Sequence, residues 1–430
     1  MNLFLARWAR AVVCALIVAF LPPALGAQAR TPQPTRDSAT VVFDDDGLRI
    51  HSADGRKQLK VRGYVVTEYR ALLSDTADAI SDGFHVKRSR MIFDANFHPR
   101  LAARIMFDVG PPSSTSPMQD AYADIGLAGT WWLRVGKQKT PSSLERYMSI
   151  SSQLLPDRSV AVNLSGSRDV GVFLTGTALR DRVEMSVGVF NGVPDGSGTQ
   201  DSDHNDAKDL TYRLWWKPVR KRVGSVEQGM GGALYGSTGI EKSAATSGTR
   251  LPIFKTIAGS PFFSYLESGG VRAAGRHSRS GAFAYLHRGR FGSFAEVMGN
   301  SQTVSRGATR AAVGTSGWIA NAQWTLTGEP SGQEGVVPRT AFDPDRGRWG
   351  AWQVGFRASA VRVGDEAFPT FADSTVAART AREIGVGLNW YLTRVMRVQL
   401  AYEHTVFTMG ARTGDRAPER LLQFRWQAYF

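Results

Sequence analysis

Along most of this chain apolar and polar residues alternate with a period of two, the spacing that sends successive side chains to opposite faces of a β-strand. In residues 183–189, Val183, Met185, Val187 and Val189 alternate with Glu184, Ser186 and Gly188. Trp318, Ala320, Trp324 and Leu326 share one side, opposite Asn321, Gln323 and Thr325. Ile384, Val386, Leu388 and Trp390 oppose Glu383, Gly385, Gly387 and Asn389, and Met396, Val398, Leu400 and Tyr402 oppose Arg397, Gln399, Ala401 and Glu403. Helical spacing is scarce, so the pattern predicts an all-β chain. Alternating segments of roughly ten residues suit a transmembrane β-barrel, apolar to lipid and polar to lumen. A soluble β-sandwich also alternates. Against it stand aromatics at segment ends (Trp131, Trp132, Trp215, Trp216, Trp349, Trp352, Trp390, Tyr391), which read as girdles at the two membrane interfaces.

Connection lengths alternate too. Leu392, Thr393 and Arg394 make a short turn, whereas residues 192–209 and 408–419 are long, polar and rich in Gly and Asp. Short turns on one rim and long loops on the other are expected of an outer-membrane barrel. The Gly/Ser/Thr-rich residues 230–261 read as a further external loop. Even-numbered residues from Leu422 to Phe430 are apolar and should face lipid, with Gln423, Arg425 and Gln427 turned inward. A last strand ending on Phe430 resembles the signal that barrel-assembly machinery reads, which implies that machinery, outer-membrane lipid and lipopolysaccharide as surroundings and partners.

The first residues carry Arg7 and Arg10, then an apolar run from Ala11 to Leu21, then the small-residue patterns Ala24-Leu25-Gly26 and Ala27-Gln28-Ala29. That order predicts a cleaved signal peptide over residues 1–29. Its apolar run is shorter than the roughly 20 residues a helix needs to cross a bilayer. Cys14, the single cysteine, leaves with it, which excludes disulfides and thiol catalysis in the mature chain. Residues 30–58 are expected as a periplasmic N-terminal segment with a short hairpin, and residues 59–430 as one barrel domain; Asp44-Asp45-Asp46, before a Gly, reads as a turn.

The formal net charge is +14, and 42 of the 52 basic residues are Arg. Excess positive charge points to nucleic acid, an anionic surface or anionic solutes. Export makes nucleic acid an unsuitable partner and leaves small inorganic anions, which fixed guanidinium forks bind well. Arg134, Arg213, Arg357, Arg397 and Arg425 stand at polar positions of alternating segments. An Arg facing lipid at mid-depth costs roughly 2–4 kcal/mol, so they should face the lumen as wall charges paired with Asp or Glu. Residues 201–206 hold several oxygen ligands but lack the Gly and distal Glu of a calcium loop, and read as a solvated loop. The seven His are dispersed, and no zinc pair, nucleophile elbow, P-loop or dinucleotide fingerprint is present. The reading is therefore not an enzyme, with no metal and no cofactor. A barrel enzyme or a structural barrel is the rival class.

An ordered set of segments carries a family resemblance. Leu59-Lys60-Val61-Arg62-Gly63-Tyr64, Val86-Lys87-Arg88-Ser89-Arg90-Met91-Ile92-Phe93, Asp120-Ala121-Tyr122 with Leu133-Arg134-Val135-Gly136-Lys137, and Leu144-Glu145-Arg146-Tyr147-Met148-Ser149 come in that order. Thr325-Leu326-Thr327-Gly328-Glu329-Pro330, Gly350-Ala351-Trp352 and Gly387-Leu388-Asn389-Trp390-Tyr391 follow. Together they resemble the phosphate-selective porin O/P family. The resemblance implies a closed antiparallel barrel of sixteen strands, a homotrimer, and a passive anion channel for phosphate or similar small oxyanions. A general diffusion porin without phosphate specificity is the alternative.

It also implies site residues. The family's basic pair on the second barrel strand falls on Lys87 and Arg88, its loop cation on Arg146, a loop serine on Ser149 and a further arginine on Arg158. The chain departs from the pattern at Tyr64 (an arginine in phosphate-specific members), Ile150 (a serine) and Gln119 (an acidic residue), and with ten Lys any ladder must be mostly Arg. Residues 141–167, carrying Arg146 and Arg158, are expected to fold into the lumen as a constriction loop. Lys87 and Arg88 are consecutive, so regular pleating points them to opposite faces. Both reach the lumen only if the strand bulges there or Lys87 snorkels around an edge.

Overall fold

The computed structural model describes residues 39–74, 82–110, 117–196, 203, 205–243 and 250–430. The signal-peptide segment 1–29 with Cys14, the first part of segment 30–58, and three of the six residues 201–206 lie outside the described residues. Among the described residues no helix is long and apolar enough to cross a membrane, and no group of three metal-ligating side chains comes together.

The chain forms, in order, β1 (Thr40–Asp44), β2 (Gly47–His51), β3 (Gln58–Leu72), β4 (Gly83–His98), β5 (Leu101–Asp108), β6 (Met118–Gly126), β7 (Trp132–Lys139), β8 (Arg168–Ala178), β9 (Val183–Phe190) and β10 (Asp209–Val223). There follow β11 (Val226–Lys242), the short β12 (Phe254–Lys255) and β13 (Pro261–Phe263), then β14 (Arg272–Arg288), β15 (Phe291–Arg306), β16 (Thr309–Thr325), β17 (Ala351–Val363), β18 (Ala378–Tyr391), β19 (Met396–Met409) and β20 (Glu419–Tyr429). Strands β3–β11 and β14–β20 pair antiparallel with their neighbours. β20 returns to β3, with Tyr429 opposite Tyr64 and Leu421 opposite Leu72. The result is a closed sixteen-stranded barrel, which leaves no long open edge. The hairpin β1–β2, turning at Asp45 and Asp46, pairs with the start of β3.

Chain end and first strand lock together. Gly63 and Phe430 exchange backbone hydrogen bonds at 2.8 and 3.0 Å. The Phe430 ring lies where a Cβ on residue 63 would stand, 2.5 Å away, so only Gly fits there. On β20, Phe424 is exposed outward while Leu421, Gln423, Arg425 and Gln427 are buried inside, as the alternation predicts; Phe430, just past the strand, is exposed at the cavity mouth. Outward Ile384, Phe356, Leu400 and Trp318 continue this apolar belt.

Three expectations need correction. Residues 230–242 are strand, all but the first four residues of β11, and the connection begins only at Ser243. Their glycines resemble a loop in composition, but Gly231 and Gly236 each make room for a ring. A Cβ on Gly236 would come within 2.5 Å of the Tyr212 hydroxyl, and one on Gly231 within 2.8 Å of Tyr285. Consecutive aromatics do not both reach an interface, because the pleat separates them: Trp215 and Tyr391 are buried inside and Trp216 is exposed outside. Trp352 and Trp390 stack across strands at 5.0 Å. Finally, rim lengths are not uniform. The rim carrying the β1–β2 hairpin and Phe430 has short turns at 99–100, 224–225 and 289–290 but also the long connection 326–350, and the opposite rim has a two-residue turn at 307–308.

Candidate functional site

Residues 140–167 join β7 to β8 and are held by inward side chains from both sides of the barrel. Helix α1 (Leu144–Tyr147) is capped by Ser143, whose Oγ accepts from the Arg146 amide at 3.3 Å. On β15, Glu296 accepts from the Leu144 amide at 3.1 Å and the Ser143 hydroxyl at 3.0 Å, satisfying donors that a helix start leaves open. From the facing strands, Glu383 accepts from the Val160 amide at 3.0 Å, Asn389 donates to the Leu154 carbonyl at 3.0 Å, and Arg397 donates to the Ser151 carbonyl at 2.8 Å. Leu144, Val160, Ala161 and Leu164 join an apolar cluster with wall and loop residues such as Trp215, Phe262, Phe283 and Phe371. The glycines that alternate on β18 have a reason here: a Cβ on Gly385 or Gly387 would come within 2.7 or 2.5 Å of the Leu155 side chain.

The basic pair on β4 lies at a bulge. Val66 is opposite Arg88 and Thr67 opposite Val86, which leaves Lys87 as the extra residue. A bulge cancels one step of alternation, so both cations turn inward. Lys87 Nζ lies 3.4 Å from Glu68 and 3.5 Å from Asp157, and Arg88 Nε lies 3.6 Å from Asp108. Asp157, at the far turn of the loop, also meets Arg70 and Arg425. Burial would raise its carboxyl, but Lys87, Arg70 and Arg425 hold it well below the usual carboxylate range.

Arg146 and Arg158 serve the loop itself. Arg146 donates to the Val162 carbonyl at 2.9 Å and to Ser165 Oγ at 3.1 Å. Arg158 donates to the carbonyls of Glu145 at 3.0 Å and Met148 at 2.9 Å. Burial, and after it the neighbouring Arg146, lower the Arg158 guanidinium to about 9, with Arg168 and Arg90 adding to the crowding. Ser149 Oγ lies 2.6 Å from Ser151 Oγ.

A cavity of about 790 Å³ lies between this loop and the rim carrying Phe430, lined by Tyr147, Ser149, Ser151 and Ser152 at one end and by Ser225 and Arg394 at the other. Of the five residues singled out from the sequence, Ser149 alone lines it. Ten basic and five acidic side chains face it. The wall from β3 to β8 supplies Arg62, Arg90, Arg104, Arg134, Lys139 and Arg168.

Most of these arginines have carboxylate partners: Arg62 with Asp94 at 2.9 Å, Arg90 with Asp108 at 2.9 Å, Arg134 with Asp124 at 2.6 Å and Arg168 with Asp120 at 2.6 Å. Arg213 pairs with Glu184, Arg357 with Glu383 and Glu403, and Arg425 with Glu68, as expected of wall charges, whereas Arg397 instead bonds loop carbonyls and Gln399. Lys139 differs. Its Nζ donates to the carbonyls of Tyr147 at 2.7 Å and Met148 at 3.1 Å, and no carboxylate pairs with it among the described residues. The Tyr122 ring lies 3.8 Å from the Arg134 guanidinium and 5.9 Å from that of Arg104, a stacking that orients both.

Arg90, Lys139 and Arg168 were not singled out from the sequence. A signal existed for the first: Arg88 and Arg90 are two apart and therefore share a face. Lys139 and Arg168 flank the loop directly, at the end of β7 and the start of β8.

Comparison with known proteins supports this architecture. No curated protein matches the sequence. Among solved structures, the outer-membrane channel DcaP of Acinetobacter baumannii is similar with a TM-score of 0.55 at 10% identity, over 87% of this chain and 98% of that one. OmpF of Salmonella typhi, in complex with daunomycin, gives a TM-score of 0.54 at 11% identity, over 91% and 100%. The trimer form of OmpT from Vibrio cholerae gives 0.51 at 12% identity, over 87% and 100%. At such identities these likenesses show the fold. The family match is broader in meaning: residues 74–430, beginning just after β3, match the phosphate-selective porin O and P family. The chain belongs to the phosphate-selective porin O and P family.

Proposed function

We propose that this outer-membrane channel prefers small anions, phosphate-like oxyanions among them, and passes them without catalysis. The single observation that carries the reading is the excess of basic over acidic side chains around the 790 Å³ cavity. A permeating ion sheds part of its hydration shell, and ordered donors must replace that shell without holding the ion too long. At an effective dielectric near 20, one charge pair at 4 Å is worth about 4 kcal/mol. Asp and Glu partners offset much of the arginine field, which keeps an anion from being trapped.

In this reading Lys87, Arg88, Arg146 and Arg158 set the potential around the loop, and Ser149 offers a hydroxyl to the passing ion. Lys139, which lines the cavity and has no carboxylate paired with it among the described residues, contributes most to selection. Three copies per assembly fit the trimer form of the similar OmpT from Vibrio cholerae. Delivery by a cleaved signal peptide over residues 1–29 belongs to the same proposal.

Replacing Lys139 with Gln keeps hydrogen-bond donors for Tyr147 and Met148 while removing the charge. The ratio of chloride to potassium permeability, from reversal potentials in planar bilayers, is expected to fall roughly threefold. An unchanged ratio in a folded, conducting Lys139→Gln channel contradicts the assignment.

A further inference from the structure

We propose that the inner end of the cavity is a binding site for organic carboxylates with an apolar body. The proposal rests on the anion-channel reading and narrows its substrate class. Tyr64, from β3, lines the cavity and is only 5% exposed; its oxygen lies within reach of Arg90, but among the described residues its O–H has no acceptor. A buried donor without an acceptor is costly and uncommon. Beside it, the Arg90 guanidinium lies 5.7 Å from the Tyr64 ring centroid. Its Nε is engaged by Asp108 at 2.9 Å, and among the described residues its terminal nitrogens have no partner beyond that Tyr64 oxygen. The Arg90 terminal nitrogens and the Tyr64 O–H thus border one void, and both can give to acceptor oxygens.

The surface next to those donors is apolar. Ile92 and Met106 line the cavity and pack with Tyr64 and Tyr429 into one small buried cluster. A fully hydrated inorganic phosphate gains nothing from an Ile–Met wall and loses water beside it. A carboxylate on a ring or short chain uses both halves: its oxygens accept from Arg90 and Tyr64, and its body leaves water against Ile92 and Met106. One negative charge also suits a guanidinium already half-neutralised by Asp108. This pairing of a few convergent polar groups with an apolar wall is how small-molecule sites are built.

The test uses the purified full-length channel in planar bilayers, with benzoate, acetate and inorganic phosphate titrated against a chloride current. Benzoate is expected to half-block at a concentration about tenfold below that of acetate or phosphate, the usual discrimination from a little added apolar contact. Met106→Gln should weaken the benzoate block several-fold and leave phosphate unchanged, Met106→Leu should keep it, and Tyr64→Phe should weaken it. Phosphate blocking as well as benzoate, or a benzoate block indifferent to Met106→Gln, would overturn the site while leaving anion preference intact. A chloride current without anion preference would instead overturn the channel reading, and this site with it.

Discussion

Replacing Arg357 with alanine is expected to destabilise the folded barrel by about 3–5 kcal/mol, the usual cost of leaving buried charge without its partner. Arg357, on β17, stands among three carboxylates. Its Nε meets Glu383 at 2.7 Å, Nη2 meets Glu403, and Nη1 lies 3.8 Å from Glu145 and donates to the Asp157 carbonyl at 2.6 Å. The Arg357 side chain is 2% exposed. Without it, carboxylates from β18, β19 and the loop face one another with little water to screen them. Ser359 and the Val160 amide still bind Glu383, but neither brings a charge. Urea unfolding of the reconstituted protein, read by the heat-dependent gel shift of folded barrels, measures the effect. A variant as stable as the parent would show that Arg357 does not carry this network.

The second large effect is on conduction. Excising residues 142–152 removes α1, the contacts to Glu296, and the carbonyls of Tyr147 and Met148 that position Lys139 and Arg158. It also removes Tyr147, Ser149, Ser151 and Ser152 from the cavity lining. Single-channel conductance is expected to rise several-fold, with weaker anion preference, because ordered donors give way to bulk water. Glu296 would then lose its partners from the loop but keep Tyr235 at 2.7 Å, so the barrel itself should close normally. Unchanged single-channel current after this excision would mean that the loop does not narrow the conducting path.

What the sequence disclosed follows from the range of the forces involved. A period of two is local, so the outward set from Leu422 to Ala428 and the inward set of arginines were legible residue by residue. The bulge at Lys87 was legible as a condition: two adjacent cations both need the lumen, and only an extra residue grants it. The strand nature of residues 230–242 was not, because a Gly that accommodates Tyr212 or Tyr285 is explained by another strand far away in sequence. The same holds for Arg146 and Arg158. Their partners are carbonyls of an irregular loop, and no spacing rule reports those. Arg134, Arg213, Arg357 and Arg425 were read correctly as paired wall charges because membrane cost leaves few alternatives. Arg397, which bonds loop carbonyls, escaped that rule for the reason Arg146 did.

The most direct test of an anion path is the reversal potential of the unmodified channel across a potassium chloride gradient. If the basic wall from β3 to β8 sets selectivity, the potential takes the sign of chloride passage and shrinks at high salt, where screening shortens the reach of those charges. A potential with the sign of potassium passage at low salt would contradict an anion-preferring channel.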